Sequence, residues 1–401
     1  MSAAFGFRAG YFSALRCASA LWRVLQTAAL LLLCILCVCM CVSCAAARPR
    51  AAFFADSVSG EKAAVDWRSE MRNFVIAIGD AARKTNPGFQ LIVQNAQELV
   101  TSDGQSDSPV MSDYLSAIAG TGREDLYFGY AADNKPTPGT ISKQLKSLCD
   151  IFLQNGKAVL VIDYCTSPAF IDASYTLNRQ NGYISFAANR RNLTSIPPQP
   201  AEPFNKNDES IEHIAQAKNF LYLINPERFA SKDDFISRLA ATDYDAFVID
   251  LFFDGKALEL SDVKMLQYKK SLARRQVIAY MSIGEAESYR YYWRDEWNKR
   301  PKKRKNCPLG FKSDERASLQ NFERTFPEWL KGENPAWKEN FKVDYRHPEW
   351  QDIIYKGEHS YLQKILDAGF DGVYLDIVDA FEYFESGEKE WRLLTQKPTI
   401  R

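Results

Sequence analysis

From about residue 66 the chain alternates two rhythms: apolar residues at helical spacing, and short apolar runs bounded by Gly, Pro, Asn or Asp. Met71, Phe74, Ile78 and Ala81 fall on one helical face, and Asn86-Pro-Gly88 stops that helix, leaving Asp80 as a solvated residue on it. The run 89–93 reads as a strand ending at Gln94-Asn95. A second strand lies within 117–127 and ends near Glu124-Asp125. After a helix over 142–154 come strands 158–163 and 183–187. A Pro- and Asn-rich connector (196–213) reads as a linker or long surface loop. Four more strands follow, 220–224, 246–250, 277–283 and 372–376, separated by helices near 233–239, 262–273 and 359–366. Four strands on each side of the connector predict an α/β fold, a (β/α)8 barrel over 66–390 with a first half 66–195 and a second half 214–385. An open doubly wound sheet is the alternative, and no G-x-G-x-x-G or P-loop supports it.

The N-terminus follows a different pattern. Arg8, Arg16 and Arg23 precede an uncharged run, 24–47, with a Leu/Cys-rich centre. Residues 1–47 therefore read as a targeting segment and 48–65 as a linker. The end of the run, Cys41-Val-Ser43-Cys44, resembles a bacterial lipoprotein processing site, which would make Cys44 the lipidated first residue. Cleavage after Ala45-Ala46-Ala47 and a retained membrane anchor are the other readings, since the run is long enough to span. All three export the barrel, with the membrane as a partner through the N-terminus.

Composition narrows the chemistry. Lys plus Arg and Asp plus Glu number 50 each, so the chain lacks the field that nucleic acid would need. The basic run 299–305 reads as a solvated loop. Only His213, His347 and His359 are present, none at ligand spacing, and body cysteines 149, 165 and 307 form no framework. Neither a metal nor a cofactor is expected. What stands out is carboxylates at presumed strand ends: Glu124 and Asp125, Asp163, Asp250, Glu285 and Glu287, Asp376 and Asp379. Acids gathered at the C-terminal ends of barrel strands, with no histidine or cysteine beside them, point to glycoside hydrolysis. There one carboxyl protonates the leaving oxygen and another attacks or activates water. Aromatic residues after the seventh strand, among them Tyr289, Trp293 and Trp337, suit stacking on sugar rings, although large aromatics more often pack a core.

Two long motifs carry a resemblance. Val277-Ile-Ala-Tyr-Met-Ser-Ile-Gly-Glu285-Ala-Glu287-Ser-Tyr-Arg290-Tyr-Tyr-Trp293 and Gly369-Phe-Asp-Gly-Val-Tyr-Leu-Asp376-Ile-Val-Asp379 resemble those of glycoside hydrolase family 114, the endo-α-1,4-polygalactosaminidase type. The resemblance implies a (β/α)8 barrel acting on polymers or oligosaccharides with α-linked amino sugars. It also implies Asp376 as the nucleophile-type carboxylate, Glu124 as the general acid, and Asn95 as the family's fifth-strand Asn. Asp250, Glu285, Glu287, Asp379, Asp163, Tyr289 and Trp293 are then expected to bind substrate. In the family the Asp376 segment precedes the helix and strand that here form 66–95. This order implies a circular permutation, strands five to eight preceding strands one to four. A catalytically silent carbohydrate-binding lipoprotein of the same fold is the second reading.

Overall fold

The computed structural model describes residues 65–298 and 327–386. The targeting segment with Cys44, the linker up to residue 64, the basic run 299–305 and Cys307 lie outside the described residues. The chain divides into two units, Met1–Ala64 and Val65–Arg401, and the described residues belong to the second.

Eight parallel strands form one sheet: β1 (Gln90–Gln94), β2 (Gly120–Glu124), β3 (Ala158–Tyr164), β4 (Ile184–Ala188), β5 (Leu221–Leu223), β6 (Ala246–Asp250), β7 (Gln276–Ser282) and β8 (Gly372–Asp376). The hydrogen-bonded order is β4-β3-β2-β1-β8-β7-β6-β5. The first strand thus pairs directly with the last, Leu91 opposite Val373 and Val93 opposite Leu375. The remaining seam, β4 to β5, is bridged by Asn225 N–H donating to the Leu193 carbonyl and by Phe186 packing on Phe220. This is the (β/α)8 barrel. Its strands are buried on both faces, and so they read as near-continuous apolar runs.

Helices cover the outside. The first, α1 (Trp67–Thr85), is capped by Asp66, whose carboxylate accepts from Ser69 N–H, and it buries Met71, Phe74, Val75 and Ile78. Next come α2 (Ser112–Ala117), α3 (Gly139–Gln154) and α4 (Pro168–Gln180), then α5 (Lys232–Ala240), α6 (Leu260–Leu266) and α7 (Tyr361–Asp367). The helical pattern over 262–273 stops early. Gln267 caps α6, and the chain turns so that Lys269 reaches Asp245, both side chains fully buried and 2.6 Å apart.

The connector, a long loop, packs against the barrel where it ends. Ile211 and Ile214 are fully buried, and the Ile211 carbonyl accepts from Gln276 while Ile214 N–H donates to Gln90. Gln90 and Gln276 stand at the N-terminal ends of β1 and β7, so this stretch closes the floor of the barrel. The chemistry is left to the opposite end. There a three-stranded antiparallel sheet (Glu285–Glu287, Asn340–Val343, Leu330–Glu333) rises beside β7 as one wall of a cleft.

Candidate active site

The cleft at the C-terminal ends of the strands has a volume of about 460 Å³. Its walls carry Glu124, Asp250, Glu285, Glu287, Asp376, Asp379 and Glu382, seven acids against the three cations Arg191, Arg290 and Lys342. The local field is acidic in a chain that is neutral overall.

Backbone geometry aims the central groups. Asn95, Asp125 and Ile377, the residues just past β1, β2 and β8, all adopt left-handed φ values of 56°, 59° and 56°. For the β-branched Ile377 this conformation is a true outlier, which the surrounding packing must hold in place. The resulting turn lets Ile377 N–H donate to Asp376 Oδ1 at 2.8 Å, while Tyr280 hydroxyl donates to Oδ2 at 2.6 Å. Gly284 permits the approach of the neighbouring loop, since a Cβ there would lie 2.1 Å from the Ile377 carbonyl oxygen.

Glu124 lies two strands away, with β1 between. Adjacent strands run about 4.8 Å apart, so the two backbones are separated by roughly 10 Å before the side chains reach inward. Glu124 accepts from Gln94 Nε2 at 2.7 Å, from Asn95 Nδ2 at 2.6 Å and from the Tyr164 hydroxyl. Asn95 is fixed in orientation, because its Oδ1 accepts from Glu124 N–H at 3.0 Å. Gln94 is braced in turn by Tyr222. Arg191 lies over the Tyr164 ring and pairs with Asp125, so Asp125 faces an arginine at the rim.

Burial pushes the Asp376 carboxyl up to about 8, against the Tyr280 hydrogen bond and with the nearby Glu124 charge. The same cause holds Asp379 at about 6 and Glu382 at about 7. Burial thus favours the protonated form of Asp376 in the free protein.

The other acids are tied into the wall. Arg290 is bidentate on Asp250 at 2.9 and 2.8 Å and donates to Glu287 at 2.6 Å, with Tyr289 hydroxyl on the second Glu287 oxygen. Glu285 pairs with Lys342 at 2.6 Å and accepts from Asn334. Asp250, Glu285, Glu287, Asp379, Asn95 and Tyr289 thus line the same cleft as Asp376 and Glu124.

Two expected site residues stand elsewhere. Asp163 is fully buried and accepts from the N–H groups of Tyr127 and Phe128, from Ser174 hydroxyl and from Asn178, a scaffolding role that ties β3 to α4. Trp293 packs on Phe341 and Trp297 behind the wall. Trp297, Trp329, Tyr345 and Trp350 are core residues too. Sequence reasoning missed Gln94, Tyr164, Tyr222, Tyr280 and Glu382. Only Glu382 left a signal, its position one helical turn beyond Asp379.

Residues 236–400 match the model of glycoside-hydrolase family GH114. The resemblance to that family therefore holds over the segment carrying Asp250, Glu285, Glu287, Asp376 and Asp379, and it supports a glycoside hydrolase. Glu124 and Asn95 lie outside the matched residues. The chain is also similar to uncharacterized proteins of three organisms. One from Methanocaldococcus jannaschii is 37% identical over 187 residues, 46% of this chain and 44% of the relative. One from Thermotoga maritima is 37% identical over 107 residues, 27% of this chain and 24% of the relative. One from Deinococcus radiodurans is 36% identical over 108 residues, 27% of this chain and 26% of the relative. The chain thus spans less than half the length of the curated relatives it matches.

Proposed function

We propose that this protein hydrolyses α-linked amino-sugar polymers, with Asp376 and Glu124 as the working pair. The observation that carries this reading is the placement of the two carboxyls on β8 and β2 in one cleft, with Gln94 and Asn95 at the end of the intervening strand both donating to Glu124. Glu124 gives its proton to the leaving oxygen as the C1–O bond breaks. In the same step Asp376 either bonds to C1, giving an ester that a water deprotonated by Glu124 then cleaves to free the sugar and restore both carboxyls, or takes a proton from the water that bonds to C1. A separation set by two strand spacings, shortened by inward-pointing side chains, accommodates both the closer pairing of retaining enzymes and the wider pairing of inverting ones.

The acidic wall supports a cationic substrate. A ring ammonium entering the cleft also favours the charged form of Asp376, the form that can attack or act as base. The test is release of reducing ends from an α-1,4-galactosamine polymer by the full chain, with proton NMR of the first product to fix its anomeric form. A silent carbohydrate-binding protein is the second reading. It is favoured by the donors that already occupy both Glu124 oxygens and by the burial that raises the Asp376 carboxyl. Substrate left uncleaved by an enzyme concentration equal to its own would decide for it.

The swapped order of the halves is part of the proposal. It is supported by a family match confined to 236–400 while 65–195 completes the same barrel. The two described ends also meet: Trp67 stacks on Phe384 with centroids 4.0 Å apart, and Arg68 pairs with Glu385 at 3.0 Å. Export and lipid anchoring at Cys44 rest on the apolar run 24–47 and its cysteine. Among the described residues no helix is long and apolar enough to cross a membrane.

A further inference from the structure

Two large aromatics in the cleft wall are left open to solvent, Trp337 at 53% and Tyr289 at 56% exposure. Nearly every other Trp described is packed. Trp297, Trp329 and Trp350 are buried, Trp293 is wedged on Phe341, and Trp67 is stacked on Phe384. An indole held open to water costs hydrophobic free energy that a core position would have recovered, which makes a buried state on ligand binding the natural account.

The backbone that presents Trp337 is tied by hydrogen bonds. Asn334 N–H donates to the Asn340 carbonyl at 2.7 Å, Trp337 N–H donates to the Asn334 carbonyl, and Asn334 Oδ1 accepts from Ala336 N–H. The Asn334 amide is anchored on Glu285, itself paired with Lys342. Ser288 N–H donates to the Glu339 carbonyl at 2.8 Å, pinning the loop of Tyr289 to the loop of Trp337. The Tyr289 hydroxyl is in turn held on Glu287 at 2.7 Å. Trp337 and Tyr289 thus stand on the wall of the cleft, held by a loop network that also engages the buried, paired carboxylates Glu285 and Glu287.

We propose that Trp337 and Tyr289 form a second sugar subsite, where a pyranose ring of a longer amino-sugar chain stacks on the indole at the rim of the acidic cleft. The inference deepens the hydrolase reading and rests on it for the substrate class. Flat apolar faces with adjoining polar groups suit a pyranose, and one pre-ordered aromatic anchor supplies much of the affinity of such a site.

The experiment is calorimetric titration of α-1,4-galactosamine dimer and hexamer into the full-length Asp376→Asn protein, which preserves the ligand, with and without Trp337→Ala or Trp337→Phe. The hexamer is expected to bind at least about tenfold more tightly than the dimer, an advantage that Trp337→Ala removes and Trp337→Phe largely keeps. Dimer affinity should change less than about twofold. Quenching of intrinsic fluorescence by hexamer should shrink in Trp337→Phe. Equal affinity for both lengths, equal loss for both in Trp337→Ala, or no binding of either overturns the subsite. Length-dependent binding through Trp337 without cleavage by the unsubstituted chain sustains the subsite and removes the hydrolase reading.

Discussion

Replacing Asp376 by Asn separates the cost of holding its carboxyl from everything else in the cleft. Asn keeps the shape and can still accept from Ile377 N–H and pair with Tyr280, so the fold is retained. Burial raises the Asp376 carboxyl from 3.8 in the unfolded chain to about 8 in the fold. Between those limits the native state keeps a proton that the unfolded chain has lost. The contribution is therefore fully present below the unfolded value and declines as pH rises towards the folded one. The slope is at most about 1.4 kcal/mol per pH unit, so roughly 3 kcal/mol is lost between about pH 5 and pH 7. Water in the open cleft weakens the desolvation, and about 1–3 kcal/mol is the working range. Asn has no such loss. Urea unfolding of both proteins at each pH gives the difference directly. The Asp379 and Glu382 carboxyls, at about 6 and 7, titrate in both and largely cancel. The stability of Asp376→Asn relative to the parent should grow with pH across this window. A difference that stays flat, or shrinks, would refute burial as the cause.

Other outcomes follow from the packing. A Cβ on Gly122 would sit 1.7 Å from the Tyr374 hydroxyl, so Gly122→Ala should lower stability by about 3 kcal/mol or more in thermal or urea unfolding. Gly284→Ala should push the Ile377 turn and its bond to Asp376; kcat is expected to fall about tenfold or more with a smaller change in KM. Lys269→Met strands the buried Asp245 carboxylate and should cost about 3–5 kcal/mol in the same unfolding assay. If Asp376 must be ionised to react, the acidic limb of kcat/KM should lie nearer pH 8 than that of kcat, because substrate charge helps ionise it; the limbs belong to the coupled pair.

Much of the barrel was legible because its strands are short apolar runs closed by turn residues. Gly372–Asp376 and Ala246–Asp250 match the reading residue for residue. The strand Gly120–Glu124 was found only within a wider window, since Gly-Thr-Gly-Arg-Glu has little apolar content. Its Gly122 exists to admit the Tyr374 hydroxyl, a long-range demand that no local pattern reports. The same limit governed the site. Strand-end position located Asp376, Glu124 and Asp250, yet it gave Asp163 the same weight, because the partners that absorb Asp163 come from α4 and the loop after β2. Aromatic clustering was equally blind: Trp329 and Trp337 lie in the same stretch, one in the core and one on the rim. The connector read as a linker or long surface loop because its Pro and Asn content says nothing about Ile211, or Ile214 just beyond it, closing the floor.

The most direct measurement compares the full chain with Asp376→Asn and Glu124→Gln for release of reducing ends from an α-1,4-galactosamine polymer. The expected result is measurable hydrolysis by the parent and a loss of at least about a hundredfold in each variant, with both variants still folded. Hydrolysis that survives both substitutions at the parental rate would contradict the carboxylate pair as the seat of the chemistry.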